Sequence, residues 1–401
     1  MAEMRPASNI LLGFALAGLA LVVAGCQPGV RARFGKQEVR AIWVTRWDYK
    51  SAGDVAVIME NCRRAGFNTV LFQVRGNGTA FYRSKLEPWA EELGGRYPGF
   101  DPLAVACREA HRRGLALHAW ANVVPGWRGK APPRDARQLY HAKAAWFWHD
   151  AHGRREPLGW YNNLNPCWPE VRRYLAAVMR EIVAGYPVDA LHMDYIRFPN
   201  EWNDGYPAGA FVPDYPRDPR TVELFRQATG RRPDQAPAEW NGWRTEQVNR
   251  LVYEIQRAVR TAKPGVALTA AVGAEPAEAK RKHFQDATRW IEAGWVDAVF
   301  PMNYEADRAS FQRRLGFWSH VPRNVPVVTG IMFDRRAPSS VVQQVELARR
   351  TGGHFSAFAY NSLFERLDET GRPMNDEESG DRAARRRALH SYFAQNRLAA
   401  R

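Results

Sequence analysis

The stretch VDALHMDYIRFP at residues 188–199 decides the fold. Its opening, Val188 to His192, is mostly apolar and too short for a helix, so it reads as a buried strand; Asp194, Tyr195 and Arg197 then crowd where the strand runs out. Just upstream, Pro169 stands at a permitted first-turn position, and Val171, Leu175, Val178, Met179 and Ile182 recur at helical spacing, with Gly185 expected as a left-handed stop. Helix, glycine, buried strand, then a carboxylate at the strand's carboxyl end is the order in which a (β/α) barrel brings an acid to its mouth.

The same unit recurs on both sides. It reads RRAGFNTVLFQVR at 63–75, HRRGLALHAWAN at 111–122, VAGYPVDALHMDY at 183–195, EAGWVDAVFPMNY at 292–304 and RRTGGHFSAFAYN at 349–361. With an opening strand at 40–47 and others at 266–272 and 325–332, the total is about eight, which predicts an α/β fold: a single (β/α)8 TIM-type barrel with long loops after strands 3 and 4. A doubly wound open sheet is the competing topology, but no glycine-rich phosphate loop accompanies it.

The chain has 401 residues, 45% of them hydrophobic and 12% aromatic, which excludes a disordered protein. At the amino terminus, Arg5 precedes an apolar run at 10–23 that is short for a membrane span and ends in Val23, Ala24, Gly25 and Cys26. This pattern resembles a bacterial lipoprotein signal, with a plain signal peptide or anchor helix as the alternative. The resemblance implies cleavage before Cys26 and lipidation of its thiol. The chain then divides into a signal peptide (1–25), a linker (26–37), the barrel (38–365) and a charged tail (366–401), the last read as a solvated cover with helix at 382–393. The resemblance thus implies a lipid-anchored protein of the cell envelope, and Gln27 in place of an aspartate after the cysteine points to the outer membrane and periplasm if the cell has two membranes.

The net charge of +15 is spread along the chain with no recognised nucleic-acid motif, so the expected partners are anionic wall polymer and membrane surface, not nucleic acid, and the protein is expected as a monomer. Cys62, Cys107 and Cys167 lack CxxC spacing, which argues for buried thiols, or one Cys62 to Cys107 bridge, and against a metal site. No cofactor is expected.

In such a barrel the strand ends form the list of candidate site residues. They are Trp43, Arg46, Trp47 and Asp48; Gln73, Arg75 and Asn77; His118, Trp120 and Asn122; His192, Asp194, Tyr195 and Arg197; Glu275; Asn303, Tyr304 and Glu305; Asp334; and Tyr360 and Asn361. Two insertions, 125–166 and 200–243, leave from the same face and carry Trp127, Trp146, Trp148, Trp160, Trp202, Tyr206, Phe211, Tyr215, Trp240 and Trp243, enough rings to wall a groove. Rings beside carboxylates suit a sugar, and glycoside cleavage wants two carboxyl groups, roughly 5 Å apart for retention or about 6.5 to 9.5 Å for inversion. Asp194 is the first, as nucleophile or base; Glu275 is the favoured acid, with Glu305 in reserve and Asp334 third. Trp43, Arg46, Gln73, Arg75, His118, Trp120, Asn122, His192, Tyr195, Arg197, Asn303, Tyr304 and Tyr360 are read as substrate-binding.

The segments RAIWVTRWD at Arg40, LFQVRGNGTAFYRSKLEPWAEEL at Leu71, FDPLAVACREAHRRGLALHAWANV at Phe100, NPCWPEVRRYL at Asn165, VDALHMDYIRFP at Val188 and GWVDAVFPMNY at Gly294 are similar, in order, to the motifs of the glycosyl-hydrolase-like family 10 proteins, a group distinct from the family 10 xylanases. The resemblance spans roughly residues 38–364 and implies a (β/α) barrel and a glycosidase; some envelope lipoproteins of the group cleave peptidoglycan glycan strands stripped of their peptides. Asp194 and Arg197 occupy the family's DYIRYP-type motif, with Phe198 where tyrosine is usual. Other members carry paired aspartates here, whereas Met193 precedes a single Asp194. A barrel that holds wall glycan without cutting it is the rival expectation, and a nucleic-acid binder a third that export disfavours.

Overall fold

A computed structural model describes residues 37–198, 214–322, 325–365 and 379–398. Eight parallel strands close into a barrel: β1 (Arg40–Val44), β2 (Thr69–Arg75), β3 (Ala116–Asn122), β6 (Ala190–Asp194), β7 (Ala267–Gly273), β8 (Ala298–Met302), β9 (Thr329–Met332) and β10 (Phe355–Phe358), paired in that order with β10 against β1. The remaining two, β4 (Pro125–Gly129) and β5 (Gly159–Asn163), form an antiparallel hairpin inside the first insertion. The expected (β/α)8 fold is therefore present, and Cys26, Trp202, Tyr206 and Phe211 lie outside the described residues.

Strand alternation sorts the side chains. Outward residues such as Ile42, Val70, Phe72, Leu117, Leu191 and Met193 join the layer between sheet and helices. Inward residues form a second core in which alanines (Ala41, Ala190, Ala267, Ala271, Ala298) leave room for Trp43, Leu71, Trp120 and Phe300. Small beside large fills the lumen, so the barrel is plugged and not a pore.

The helices follow the expected amphipathic pattern. In α4 (Pro169–Gly185), Pro169 opens the first turn and Val171, Leu175, Val178, Met179 and Ile182 are buried. Gly66, Gly114, Gly294 and Gly353 take the left-handed conformation before their strands, with φ of 88°, 69°, 66° and 76°. Gly185 departs from expectation: it is the last residue of α4, and the helix stops at an extended Tyr186 (φ −135°).

The carboxy-terminal helix (Ser379–Leu398) corrects the reading of a merely solvated tail. Leu389 and Phe393 are buried; Arg382 donates to the Asn361 carbonyl at 2.9 Å, and Arg385 to the Ser362 and Arg336 carbonyls at 2.8 and 3.0 Å. These guanidiniums satisfy carbonyls of the turn after β10 and of the loop after β9, so the helix is docked against the end of the barrel chain. Cys62, Cys107 and Cys167 are buried free thiols, without the alternative bridge.

Candidate active site

Register places Asn122 opposite Asp194, Trp120 opposite His192 and His118 opposite Ala190. Asn122 and Asp194 thus share the uppermost inward layer, Trp120 and His192 the one beneath, and His118 the floor.

Asp194 ends β6 and is 5% exposed. Its Oδ1 accepts from the Tyr195 backbone N–H at 2.6 Å and from Arg197 Nη1 at 3.0 Å. Both bonds fall on one oxygen, and among the described residues Oδ2 accepts none, so the carboxylate is held in one orientation with its second oxygen unengaged. That hold costs strain: Tyr195 sits at φ 46°, unusual for a bulky residue, and a left-handed non-glycine residue costs of order 1–3 kcal/mol. The ladder helps to maintain it, because Val123 donates to the Asp194 carbonyl at 2.8 Å and Val124 to that of Tyr195 at 3.3 Å. Arg197 also lies over the Tyr195 ring, 4.3 Å from its centroid. Burial, and then the Asp194 charge, push the Tyr304 phenol well above its usual range, so it stays a neutral donor near that carboxylate.

Two of the candidate partner carboxylates share one arginine. Glu275, at the end of the loop after β7, accepts from Arg314 Nε at 2.8 Å, and Glu305, after β8, pairs with Arg314 Nη1 at 2.6 Å. Both are drawn onto one cation carried by α9 (Arg308–Gly316), a helix that Asn303 ties down by donating to the Phe311 carbonyl at 2.9 Å. Asp334 is exposed beside Arg335.

Several residues expected to touch substrate are placed otherwise. Arg75 is fully buried, paired with buried Glu87 at 2.8 Å and donating to the carbonyls of Asn122, Val123 and Pro125; it fastens the rim. His192 is buried, with Nδ1 2.8 Å from Thr269 Oγ1, and His118 lies on the floor; burial lowers both imidazoles, His118 to about 4, so both are neutral core histidines. Trp43, 1% exposed, meets Trp120 and His192 edge to face at 4.8 and 4.6 Å and plugs the lumen with them. Tyr360 points into the helix layer, where Asn61 donates to its hydroxyl at 2.8 Å. Gln73 accepts the Arg46 N–H at 3.0 Å and so positions that residue.

The insertions also divide. In the second, Trp240 is 1% exposed and packs with Phe225 and Trp243, while Tyr215 lies stacked on Trp148; those rings build their own core and do not wall a groove. In the first, the β4–β5 hairpin carries Arg128, Trp160 and Tyr161 to the mouth. The Tyr161 ring meets that of Tyr195 at 4.9 Å, and its hydroxyl takes bonds from Asn122 at 3.0 Å and Arg46 at 3.4 Å. Sequence reading missed Arg128, Tyr161 and Glu92, the ion-pair partner of Arg46 at 2.9 Å. The signal was the pair of Gly-Trp dipeptides in PGWRG and GWYNN, which mark two extended arms flanked by glycine.

A cavity of about 480 Å³ opens on the opposite, amino-terminal face among Glu38, Asn68, His111, His118 and Asp189. Sites on this architecture lie at the carboxyl ends of the strands, so this cavity is at the wrong end to be the active site.

Comparison with known proteins agrees with the geometry. The family model described as Glycosyl hydrolase-like 10 matches residues 38–347. The chain is 25% identical over 371 residues to the glycosyl hydrolase DigH of Escherichia coli K12, covering 80% of this chain and 79% of that one. It is 27% identical over 328 residues to the glycosyl hydrolase YngK of Bacillus subtilis, covering 73% and 59%. Among solved structures, α-L-fucosidase isoenzyme 2 from Paenibacillus thiaminolyticus superimposes with a TM-score of 0.61 at 13% identity, over 90% of this chain and 50% of that one, a likeness of fold alone.

Proposed function

Because the chain belongs to the glycosyl hydrolase-like 10 family, whose matches and fold make it a glycan-acting hydrolase of barrel type, we propose that it is a lipid-anchored envelope enzyme cleaving peptidoglycan glycan strands, with Asp194 as one catalytic carboxylate. The observation that carries this reading is the singly anchored carboxylate at the end of β6: Oδ1 is fixed by Tyr195 and Arg197, and Oδ2 is left for a reacting group. Tyr304, kept neutral by burial, is proposed as a hydrogen-bond donor to the substrate. Tyr195 and Arg197 orient the carboxylate, and Tyr161 and Trp160 supply ring faces for sugar.

For the second carboxylate we propose Glu275, with Glu305 in reserve. Glu275 follows β7, the strand next to β6, and its side chain is the less exposed of the two, 26% against 36%. Releasing it from Arg314 leaves that guanidinium paired with Glu305, so no cation is abandoned. Glu275→Gln should then lower turnover about a hundredfold and Glu305→Gln less than about tenfold, the range that general acid catalysis supplies. Equal losses would remove the distinction.

A second reading is favoured by one specific feature: Asp194, Glu275 and Glu305 are all bonded to arginines, the arrangement of structural pairs in a barrel that holds glycan without cutting it. Digestion of amidase-treated and untreated sacculi separates the two. Mass-identified fragments with new reducing ends support the hydrolase; co-sedimentation with peptidoglycan and no new reducing ends supports the holder. Labelled palmitate retained by the wild type and lost in Cys26→Ala tests the anchor.

A further inference from the structure

Arg128 is the cation at the mouth that the glycosidase reading leaves unused. Its guanidinium carbon lies 4.2 Å from the Trp160 ring centroid and 5.1 Å from that of Trp47, between two tryptophans. Among the described residues it makes no hydrogen bond or ion pair, and its Nε is wholly shielded. Burial, and then the neighbouring Arg46, lower its affinity for its own proton, a sign of a cation held where it is poorly solvated and repelled.

Arg46 repeats the pattern. Its side chain is fully buried, Nε is spent on Glu92 at 2.9 Å and Nη1 reaches Tyr161 at 3.4 Å, but Nη2 is buried with no acceptor among the described residues. Its guanidinium carbon lies 3.9 Å from the Trp47 ring centroid, and a Cβ at Gly76 would come within 2.5 Å of Nη1, so the pose is moulded by the backbone. One carboxylate, Glu92, faces two guanidiniums. An unpaired buried donor is costly, more so when charged, and such groups are retained in a cleft where a ligand completes them.

We infer that Arg128, between the rings of Trp47 and Trp160, and Arg46, over Trp47, form a subsite for a carboxylate carried on a sugar, and that this selects acidic over neutral glycan. The inference deepens the proposed function and rests on it only in taking the ligand to be a glycan. The planar fork of Arg128 suits a carboxylate, and the flanking indoles suit the sugar bearing it. The subsite adjoins the cleavage position through Tyr161, whose ring contacts Tyr195 next to Asp194.

The test is calorimetric titration of the full chain in detergent, in an Asp194→Asn background so that the glycan survives. The probes are peptide-stripped peptidoglycan strands, whose carboxylate is a lactyl ether, and oligogalacturonate, whose carboxylate is on the ring. Each is compared with its own methylamide. The polymer whose charged form is preferred identifies the source. Charged strands should bind about tenfold tighter than their methylamides, and Arg128→Gln should bring them down to the methylamide level, as loss of a charge-assisted pair predicts. Arg128→Lys should keep part of the preference, which a variant that merely disturbs the hairpin would not. If neither polymer is preferred over its methylamide, or the preference survives Arg128→Gln, the subsite is overturned. A preference for acid without release of reducing ends by the wild type would retain the subsite and remove the hydrolase.

Discussion

Asp189 and Asp194 bracket the same strand and are both shielded, yet they are used differently. Asp189, at the foot of β6, accepts from the Leu117 N–H at 2.8 Å and pairs with His111 at 2.9 Å, both through Oδ2, at the edge of the amino-terminal cavity. Its neighbours adopt ordinary backbone geometry, and its bonds staple β6 to β3. Asp194, at the head of the strand, is held through Oδ1 alone among the described residues, next to a strained Tyr195, and Tyr161, whose ring meets that of Tyr195, in turn touches Arg46, a guanidinium with an unsatisfied donor. The foot obeys the rules of a stable fold and the head breaks several at once, which is how a site differs from a void.

The largest expected effect separates these two acids. Asp194→Asn should lower turnover about a thousandfold or more with the thermal midpoint nearly unchanged, because the amide keeps its shape but loses the charge that acts on the reacting centre. Asp189→Asn should do the reverse, costing about 1–3 kcal/mol of stability through a weakened staple while turnover stays within about twofold. Turnover and denaturant midpoints measured on both variants would break the comparison if Asp189 governed rate or Asp194 only stability.

Arginines sharpen it next. Arg75→Met strands the buried Glu87 and should cost about 3–5 kcal/mol, readable by urea denaturation. Arg128, without an acid partner among the described residues, should give almost no loss when replaced by methionine. A comparable loss at both would mean that Arg128 has a structural counter-charge.

Much of this was legible in the sequence because barrel strands announce themselves by apolar runs after glycine, and alternation from Asp194 back through His192 correctly turns both inward. Alternation cannot tell depth, so His118, His192 and Trp43 read as mouth residues although register sets them in the plug or on the floor. Strand-end position also cannot show which donors are already spent. Arg75 is used up on Glu87 and three carbonyls, whereas Arg46 and Arg128 keep free donors, and only packing in three dimensions distinguishes them. Long loops hide the most: the hairpin carrying Tyr161 and Arg128 is antiparallel to nothing in the repeat that defines the rest of the chain.

Floor and mouth also differ in what acid does to them. His118 has a folded-state value of about 4 against about 6.5 when unfolded, because burial disfavours the imidazolium. Above pH 6.5 both states are neutral and the stability is fully present. As pH falls from 6.5 to 4 the unfolded chain takes up the proton first, so stability is lost across that window, by up to about 3 kcal/mol for this residue. Denaturation midpoints from pH 7 to pH 4 should slope less steeply in His118→Gln than in the wild type, with the remaining slope due to other lowered imidazoles such as His283, also at about 4. Identical slopes would show that the floor opens to protons without unfolding.

The smallest expected effect belongs to Trp160, the partly exposed ring at the mouth, 38% accessible, with Arg128 against one face. Little packing is lost when it is removed, so Trp160→Ala should leave the melting temperature within about 2 °C, a sub-kcal/mol change for a domain of this size. What it loses is a stacking face and the shielding of Arg128, contacts made equally in bound substrate and transition state. The loss should appear as a rise in KM of about fivefold with kcat nearly constant, roughly 1 kcal/mol of uniform binding. A fall in kcat with KM unchanged would place the ring at the reacting sugar itself and move the cleavage position from beneath Tyr195 toward the hairpin.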